Sequence, residues 1–212
     1  MQHKFDELNI NGSSKGQRIE SYRDYFEPMD LSEEELEERV ELAEKIAAVI
    51  IAIFLLYIAN TIETKKLEVI MRERLTLVIK DFFKIEFLTV YLQNYVDTVV
   101  KNTIKVTVEN KGNDYYTSSE RAEFIAANEA NALGNYREQI QAVENGFKFK
   151  VWVTENDKRV RHTHKAVDGT KIDILKPFIV GNSQMLFPKD MSMSPTAQEV
   201  VNCRCHLRYT KY

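Results

Sequence analysis

Apolar residues recur at helical spacing through the first half of the chain. Ser32, with Glu35 three residues later, has the pattern of a capping box, so we predict that a helix begins there. This helix should continue through the uncharged run Ile46–Ala59 to about Lys66. Between residues 67 and 108 the apolar stripe continues without Gly or Pro, which predicts one long helix or two shorter ones.

The second half of the chain has a mixed pattern. A further helix, capped by Ser118 or Ser119, should end near Asn145–Gly146, because Gly suits the left-handed position after a helix. Residues 147–153 then alternate between apolar and polar side chains. This alternation predicts a half-buried strand whose odd-numbered side faces the core.

The predicted elements place the chain in the α+β class. Short strands at 171–175 and 178–180 follow, so a helical N-terminal half precedes a small mixed α/β C-terminal domain. The predicted parts are a flexible N-terminal tail at residues 1–27, a helical region at 28–112 and the C-terminal domain at 113–212.

The uncharged run Ile46–Ala59 is the membrane-like feature of the sequence. It has fourteen residues, whereas a membrane-spanning helix needs about 20 apolar residues. We therefore favour a helix buried within a bundle or used for self-association between copies of the chain, and no membrane. The alternative is a membrane-associated helix, which would partition into lipid.

Composition and charge are those of an ordinary folded protein, with 44% apolar and 29% charged residues among 212. The net charge of −3 argues against a dedicated nucleic-acid coat, yet residues 141–212 carry 12 Lys and Arg against 7 Asp and Glu. The candidate DNA-binding residues in this basic part are Lys158, Arg159, Arg161, Lys165 and Arg208. Solvated charges or ion pairs with nearby carboxylates explain them equally well.

The chain's soft and titratable side chains concentrate in two short segments. Cys203 and Cys205 lie one residue apart, too close for an unstrained disulfide, and would share a face on extended backbone. His162 and His164 would share a face in the same way. Two thiolates and an imidazole could thus hold a zinc ion, with Asp168 as a further ligand or as a partner of a ligand.

Other interpretations of these residues remain open. The two cysteines could be small apolar residues in a dry core. A cysteine could instead be a nucleophile activated by His164 and oriented by Asp168. Arg121 and Glu129, two helical turns apart, could serve a transferase, although helix charges of this kind are usually solvated.

An ordered series of segments carries a resemblance to a known family. The segments are Arg121–Glu129, Lys150–Trp152, Asp157–Arg161, His164–Gly169, Phe178, Phe187–Pro188 and Glu199–Cys205. Over about residues 118–207 the chain resembles the phage Mu F-like head morphogenesis proteins, which are minor head proteins of tailed phages and prophages. Two positions depart from the family pattern: Asn128 stands where Thr or Ser is usual, and Lys189 replaces the Gly of a Pro-Gly-Asp loop.

The resemblance implies motif residues and a place in the virion. The motif residues are Trp152, Asp157, Arg159, Arg161, Gly169, Asn202 and Arg204. His164 occupies the position of the family histidine, whereas His162 and His206 lie outside the pattern. The family implies a minor virion component in the head interior or at the portal vertex, present in the host cytoplasm during assembly. Its partners would be the portal protein, other head proteins and double-stranded DNA.

Two classes of function follow from these observations. In the first, a structural protein, the apolar helix docks on the portal, the capsid or another copy, and residues 113–212 form a Mu F-like head morphogenesis domain. In the second, the same domain is an enzyme, either a cysteine/histidine- or metal-dependent hydrolase or a toxin-like transferase. Zinc without turnover would favour the first, and loss of an activity on Cys203→Ala or His164→Ala would favour the second. We favour the structural protein.

Overall fold

The computed structural model describes residues 19–29 and 31–212. These residues divide into a helical unit, made of 19–26 and 32–130, and a mixed unit, made of 27–29, 31 and 131–212. Most of the predicted N-terminal tail lies outside the described residues. The domain boundaries placed after residues 27 and 112 stay predictions.

Helices build the helical unit. They are α1 (Tyr22–Phe26), α2 (Glu33–Ile58), α3 (Thr64–Phe83), α4 (Val90–Glu109) and α5 (Ser119–Glu144), whose residues from 131 onward belong to the mixed unit. α2 packs on α3, and α3 packs on α4. The packing buries one apolar stripe from each helix, which is the main source of stability for helices of this kind.

The predicted capping box at the start of α2 is confirmed. The hydroxyl of Ser32 accepts the Glu35 backbone N–H, and the Glu35 carboxylate accepts the Ser32 backbone N–H at 2.8 Å. The predicted end near Lys66 is wrong, because α2 ends at Ile58 and α3 begins at Thr64. The chain reverses at Asn60, whose φ of 50° is left-handed, and this reversal lets α3 pack against α2.

The uncharged run of α2 is divided between buried and exposed residues. Ile46, Ile50 and Phe54 are buried, whereas Leu55 and Ile58 are 62% and 59% exposed. Within the part of the chain that the structure describes, no helix has the length and apolar content needed to cross a membrane.

Of the two alternatives predicted for residues 67–108, the structure has two helices. α3 ends at Phe83, and the next residue, Lys84, has a left-handed φ of 53°. Thr89 caps α4 by accepting the Leu92 N–H. The ion pairs Lys45–Asp81 and Arg72–Asp97 join neighbouring helices. The segment 104–108 at the end of this stripe is rich in β-branched residues, yet it is helical. Packing therefore outweighs local propensity there.

The mixed unit contains two small antiparallel sheets and two short helices. Its elements in chain order are β1 (Phe149–Val153), α6 (His162–Lys165), β2 (Lys171–Asp173), β3 (Phe178–Val180), β4 (Ser183–Met185), α7 (Ala197–Val200) and β5 (His206–Thr210). One sheet has the order β2-β1-β5, and β3 pairs with β4 in the other. The structure thus confirms the α+β class.

The predicted facing of β1 is wrong. Its even-numbered residues Lys150 and Trp152 are fully buried, while the odd-numbered residues are half-buried. Lys150 tolerates this position because its Nζ donates a hydrogen bond to the Leu186 carbonyl at 2.6 Å. Burial lowers the pKa of Lys150 to about 8. Trp152, opposite Leu207 of β5, contributes the large apolar surface that fixes the buried side.

The sequence prediction also missed β4. Gly181 and Asn182 form the two-residue connection between β3 and β4, and Gly181 has a left-handed φ of 57°. A three-residue strand is too short for alternation to show in the sequence. By contrast, the predicted end of α5 is confirmed, since the helix ends at Glu144 and Gly146 has a φ of 72°.

Candidate metal centre

The two cysteines are held in a buried turn between α7 and β5. Cys203 is 1% exposed and Cys205 is 3% exposed, and both are free thiols. The turn begins at Asn202, whose φ of 56° is left-handed, a conformation that Asn adopts more readily than most residues. The family motif residue Asn202 therefore has a backbone role here.

Two buried amides on α5 fix the backbone of the cysteine turn. Asn131 Nδ2 donates to the Cys203 carbonyl and Asn135 Nδ2 donates to the Cys205 carbonyl, both at 3.1 Å. The two asparagines are one helical turn apart and have no exposed surface. One face of α5 therefore sets the position of both sulfur-bearing residues.

His164 reaches the cysteines from the one-turn helix α6. Its Nδ1 lies 3.3 Å from Cys205 Sγ and 3.6 Å from Cys203 Sγ. The Trp152 ring packs edge to face on the imidazole, with centroids 5.7 Å apart. Because this segment is helical, the expectation that His162 and His164 share a face does not hold: His164 is buried and His162 is exposed.

Glu199 of α7 orients the imidazole of His164. Its Oε2 lies 3.0 Å from His164 Nε2 and also accepts the Thr163 hydroxyl at 2.8 Å. Nε2 is therefore placed to donate its proton to this carboxylate, which leaves Nδ1 facing the two sulfurs. A buried carboxylate behind a histidine is the usual arrangement around metal-binding imidazoles.

The thiols differ in their electrostatics. Burial raises the pKa of Cys203, but hydrogen bonds from Cys205 and His164 outweigh burial and lower that pKa below its ordinary value. The hydrogen bond with Cys203 and burial both raise the pKa of Cys205. For His164, burial lowers the pKa, but the hydrogen bond to Cys203 outweighs it and the net shift is upward. The two shifts thus favour a Cys203 thiolate beside a protonated His164 ring in the metal-free chain.

A cavity of about 10 Å³ lies at this group. Besides His164, Cys203 and Cys205, its lining includes Glu155 and Arg204. Burial raises the pKa of Glu155 to about 7, and its Oε1 is buried without a hydrogen-bond partner among the described residues. The volume is about that of one water molecule or one ion.

The donor set fits a soft divalent metal. One ligand atom from each of His164, Cys203 and Cys205 lies within 4.8 Å of the others, so the three side chains could hold a metal ion. Thiolate and imidazole together suit zinc better than magnesium or calcium, which prefer oxygen. The chemistry of the donor set therefore admits zinc.

Asp168 has a different place from the one predicted. Its Oδ1 accepts the Thr154 backbone N–H at 2.8 Å, and it is not among the side chains that converge on the cavity. Gly169 follows with a φ of 70°, and its N–H donates to the Trp152 carbonyl at 2.8 Å. Both motif residues therefore shape the connection between β1 and β2.

The arginines of the motif are engaged within the mixed unit. Arg204 Nη2 lies 2.8 and 2.7 Å from the two carboxylate oxygens of Asp157, and Arg159 also contacts this carboxylate. Burial raises the pKa of Asp157, but the Arg204 hydrogen bond contributes to a net lowering. Arg161 donates to the Val201 carbonyl. Of the candidate DNA-binding residues, Lys158, Arg159, Lys165 and Arg208 are exposed and Arg161 is half-buried.

Arg121 and Glu129 do not pair with each other in the helical unit. Arg121 Nη1 donates to Thr107 Oγ1 at 2.8 Å, and the guanidinium lies 5.2 Å from the Phe54 ring centroid. Burial lowers the pKa of Arg121 to about 10. Glu129 accepts the hydroxyl of Tyr95 instead. Both side chains thus have structural contacts.

Four residues of the site were missed by sequence reasoning, namely Asn131, Asn135, Glu155 and Glu199. The asparagines left a usable signal, since polar amides at a spacing of four on an otherwise alanine-rich helix face indicate backbone partners. Glu199 begins one of the segments that carry the family resemblance, but the residue pattern assigned it no role. Glu155 left no signal, because carboxylates are common and their burial depends on the folded chain.

Comparison with known proteins identifies the family. The family model described as Phage Mu protein F like protein matches residues 92–208. The comparisons with curated proteins and with solved structures each give no match. Because the family match covers more than half of the chain and contains the whole His-Cys-Cys group, the chain belongs to the Phage Mu F-like family of phage head proteins.

Proposed function

We propose that the chain is a minor head protein that acts in head morphogenesis, in association with the portal and capsid. The observation that carries this proposal is the family match over residues 92–208, which includes every side chain of the candidate centre. The site supports a structural role better than a catalytic one, because the side chains of His164, Cys203 and Cys205 are all buried from an external substrate.

The mixed unit would be stabilised by zinc in this role. Cys203, Cys205 and His164 come from segments about forty residues apart, so one ion would link the end of the chain to α6. A unit with such short strands gains more from such a link than a large domain does. A bound zinc ion would cross-link α6 and the cysteine turn. Glu199 would hold the His164 imidazole in the orientation that this needs.

A cysteine nucleophile is the second candidate function. The observation in its favour is the order Glu199, His164, Cys203, in which a carboxylate orients an imidazole beside a thiol of lowered pKa. Glu199 takes the orienting role that the sequence prediction gave to Asp168. The 1% exposure of Cys203 argues against attack on an external substrate.

The helical unit would supply the contacts to the portal, the capsid or a second copy. Leu55 and Ile58 leave an apolar surface at the end of α2, within the uncharged run that we expect to dock. The exposed cations Lys158, Lys165 and Arg208 would contact packaged double-stranded DNA. Such contacts would be weakened by salt.

The head function is tested in a phage or prophage that lacks this gene and is complemented with the full-length chain. We expect purified heads to contain a few copies of the chain by quantitative mass spectrometry, and few complete heads to form without it. Leu55→Glu with Ile58→Glu should lower its incorporation, whereas Leu77→Glu, at a residue of similar exposure on α3, should not. Normal heads without the chain would overturn the proposal.

The zinc is tested by elemental mass spectrometry of the purified full-length chain. We expect about one zinc per chain, lost in both Cys203→Ser and His164→Ala. Metal-free protein that remains fully folded would show a dry cysteine core instead. Turnover of a substrate that is lost in Cys203→Ala would support the nucleophile.

A further inference from the structure

The His-Cys-Cys group leaves a coordination position to be filled. A structural zinc site has four protein ligands, whereas a catalytic site has three and a water molecule. Here three donor atoms lie within 4.8 Å of one another. Whether a fourth side chain closes the site decides whether a bound metal is inert or open to chemistry.

Glu155 is the acidic side chain that shares the cavity with these three residues. Its Oε1 is buried and has no hydrogen-bond partner among the described residues. A buried carboxylate oxygen without a partner is costly, and such atoms in native structures usually have a role. A metal ion in the adjacent cavity would satisfy this oxygen.

The backbone that carries Glu155 is well anchored. Glu155 lies two residues after the end of β1, and the preceding residue, Thr154, is fixed by the Asp168 carboxylate through its backbone N–H. Asp168, which the sequence offered as a metal ligand, would thus act on the site indirectly, by holding the backbone just before Glu155. Glu155 lines the cavity but is outside the group of donor atoms within 4.8 Å of one another, so metal binding would draw its side chain toward that group.

Charge balance also suits a fourth anionic ligand. Two thiolates neutralise a divalent zinc ion, so an added carboxylate leaves the site with a net charge of about −1. Arg204 and Arg159 both line the same cavity, and the charge of each acts on the Glu155 carboxylate. These arginines would compensate the added negative charge.

We propose that Glu155 is the fourth ligand, which closes a zinc site formed with His164, Cys203 and Cys205. This inference rests on the zinc of the proposed function and specifies its coordination. Binding requires both sulfurs as thiolates and Glu155 as a carboxylate, so metal uptake releases to solvent whichever protons these groups carry. A closed site of this kind is structural and has no position for a reactive water molecule.

The test uses the full-length chain with Glu155→Gln and Glu155→Ala. Glu144→Ala is the matched control, because Glu144 is an exposed carboxylate of the same unit and its loss changes the charge equally. Zinc affinity is measured by competition with a chromophoric chelator, and the coordination number is read from the visible absorption of the Co²⁺-substituted protein. Circular dichroism of each metal-free variant checks folding, and Gln preserves the side-chain size where Ala does not.

We expect the wild type and Glu144→Ala to bind one zinc equally, and both Glu155 variants to bind on the order of 100-fold more weakly. The four-coordinate Co²⁺ spectrum should change in the Glu155 variants. If the wild type binds one zinc and the Glu155 variants match it, the fourth-ligand assignment is overturned, the zinc site stands and a water molecule completes it. If the folded wild type binds no zinc, the zinc proposal and this inference fail together.

Discussion

His164 and Glu199 form a buried hydrogen bond, with Nε2 3.0 Å from Oε2 and both side chains almost fully excluded from solvent. The carboxylate holds the ring proton on Nε2 and so leaves Nδ1 free to face the two sulfurs. We expect Glu199→Gln to lower zinc affinity by about 10-fold or more, because the neutral amide makes the imidazole less basic. Chelator competition measures this change.

The same variant separates an orienting role from a ligand role. Glu199→Gln should still bind one zinc per chain, since none of the three donor atoms is removed. The Co²⁺ spectrum should therefore keep its four-coordinate form. Loss of all metal from a folded Glu199→Gln protein would contradict this assignment and make Glu199 a ligand.

Gly181 leaves the space that Glu199 occupies. A Cβ at residue 181 would lie 2.7 Å from Glu199 Oε1 and 3.1 Å from the Thr163 methyl carbon. We expect Gly181→Ala to destabilise the chain by more than about 2 kcal/mol, from the left-handed φ and from displacement of the carboxylate. Urea unfolding measures the difference, and zinc affinity should fall with it.

Gly169→Ala is the control for the backbone contribution. Gly169 has a φ of 70°, similar to the 57° of Gly181, but a Cβ there would meet no atom within 4 Å. Gly169→Ala should lower the free energy of unfolding by about 1–2 kcal/mol, because only the backbone conformation is strained. Its zinc affinity should be unchanged. Equal effects of the two substitutions on stability and on zinc affinity would show that the contact with Glu199 is unimportant.

The sequence predicts the three candidate metal ligands better than the residues that surround them. Cys203, Cys205 and His164 are rare residue types in short clusters, and the structure does bring their donor atoms together. Glu199 and Glu155 are ordinary carboxylates in the sequence. Their partners are fixed only by the short turns around α6 and α7, and four-residue helices are too short for periodicity to reveal them.

For the fold, the sequence predicted the helices and the class but not which face of β1 is buried. Helical periodicity over long stretches and the capping signals gave the helices, and the α+β class is confirmed. The facing of β1 was not predictable from alternation, because alternation fixes which residues share a face but does not say which face is buried. Trp152 and Lys150 took the buried side because β5 and the Leu186 carbonyl offer them partners.

The buried amides Asn131 and Asn135 of α5 should contribute to the stability of the chain. Asn131→Ala and Asn135→Ala each remove a buried donor from the carbonyl of Cys203 or Cys205. We expect each to lower the free energy of unfolding by about 1–3 kcal/mol, because the carbonyl is left without that donor. Gln141→Ala, at an exposed amide of the same helix, should stay within about 0.5 kcal/mol of the wild type.

Metal uptake distinguishes this prediction from general destabilisation. Displacement of the cysteine turn should lower zinc affinity in both asparagine variants, and the metal-free proteins should differ less from the wild type than the zinc-loaded ones do. Asparagine variants as stable as Gln141→Ala in urea would show that the turn holds its shape without these donors.

Lys150 should make the stability of the chain depend on alkaline pH. Its folded pKa of about 8 lies below the ordinary value of 10.5, because burial disfavours the ammonium form. Between these two values the unfolded chain binds more protons at this residue than the folded chain does, so stability should rise with pH from about 8 to 10.5. Below pH 8 both states are protonated and the full cost of the buried charge is present.

Lys150→Met removes this dependence, so the stability advantage of Met over Lys should shrink by about 3 kcal/mol as the pH rises through that window. Urea unfolding of both proteins at several pH values measures the difference between their free energies of unfolding. The contributions of groups that titrate in both proteins cancel in this difference. Parallel profiles would show that the ammonium is already well stabilised by the Leu186 carbonyl and the nearby Phe178 ring.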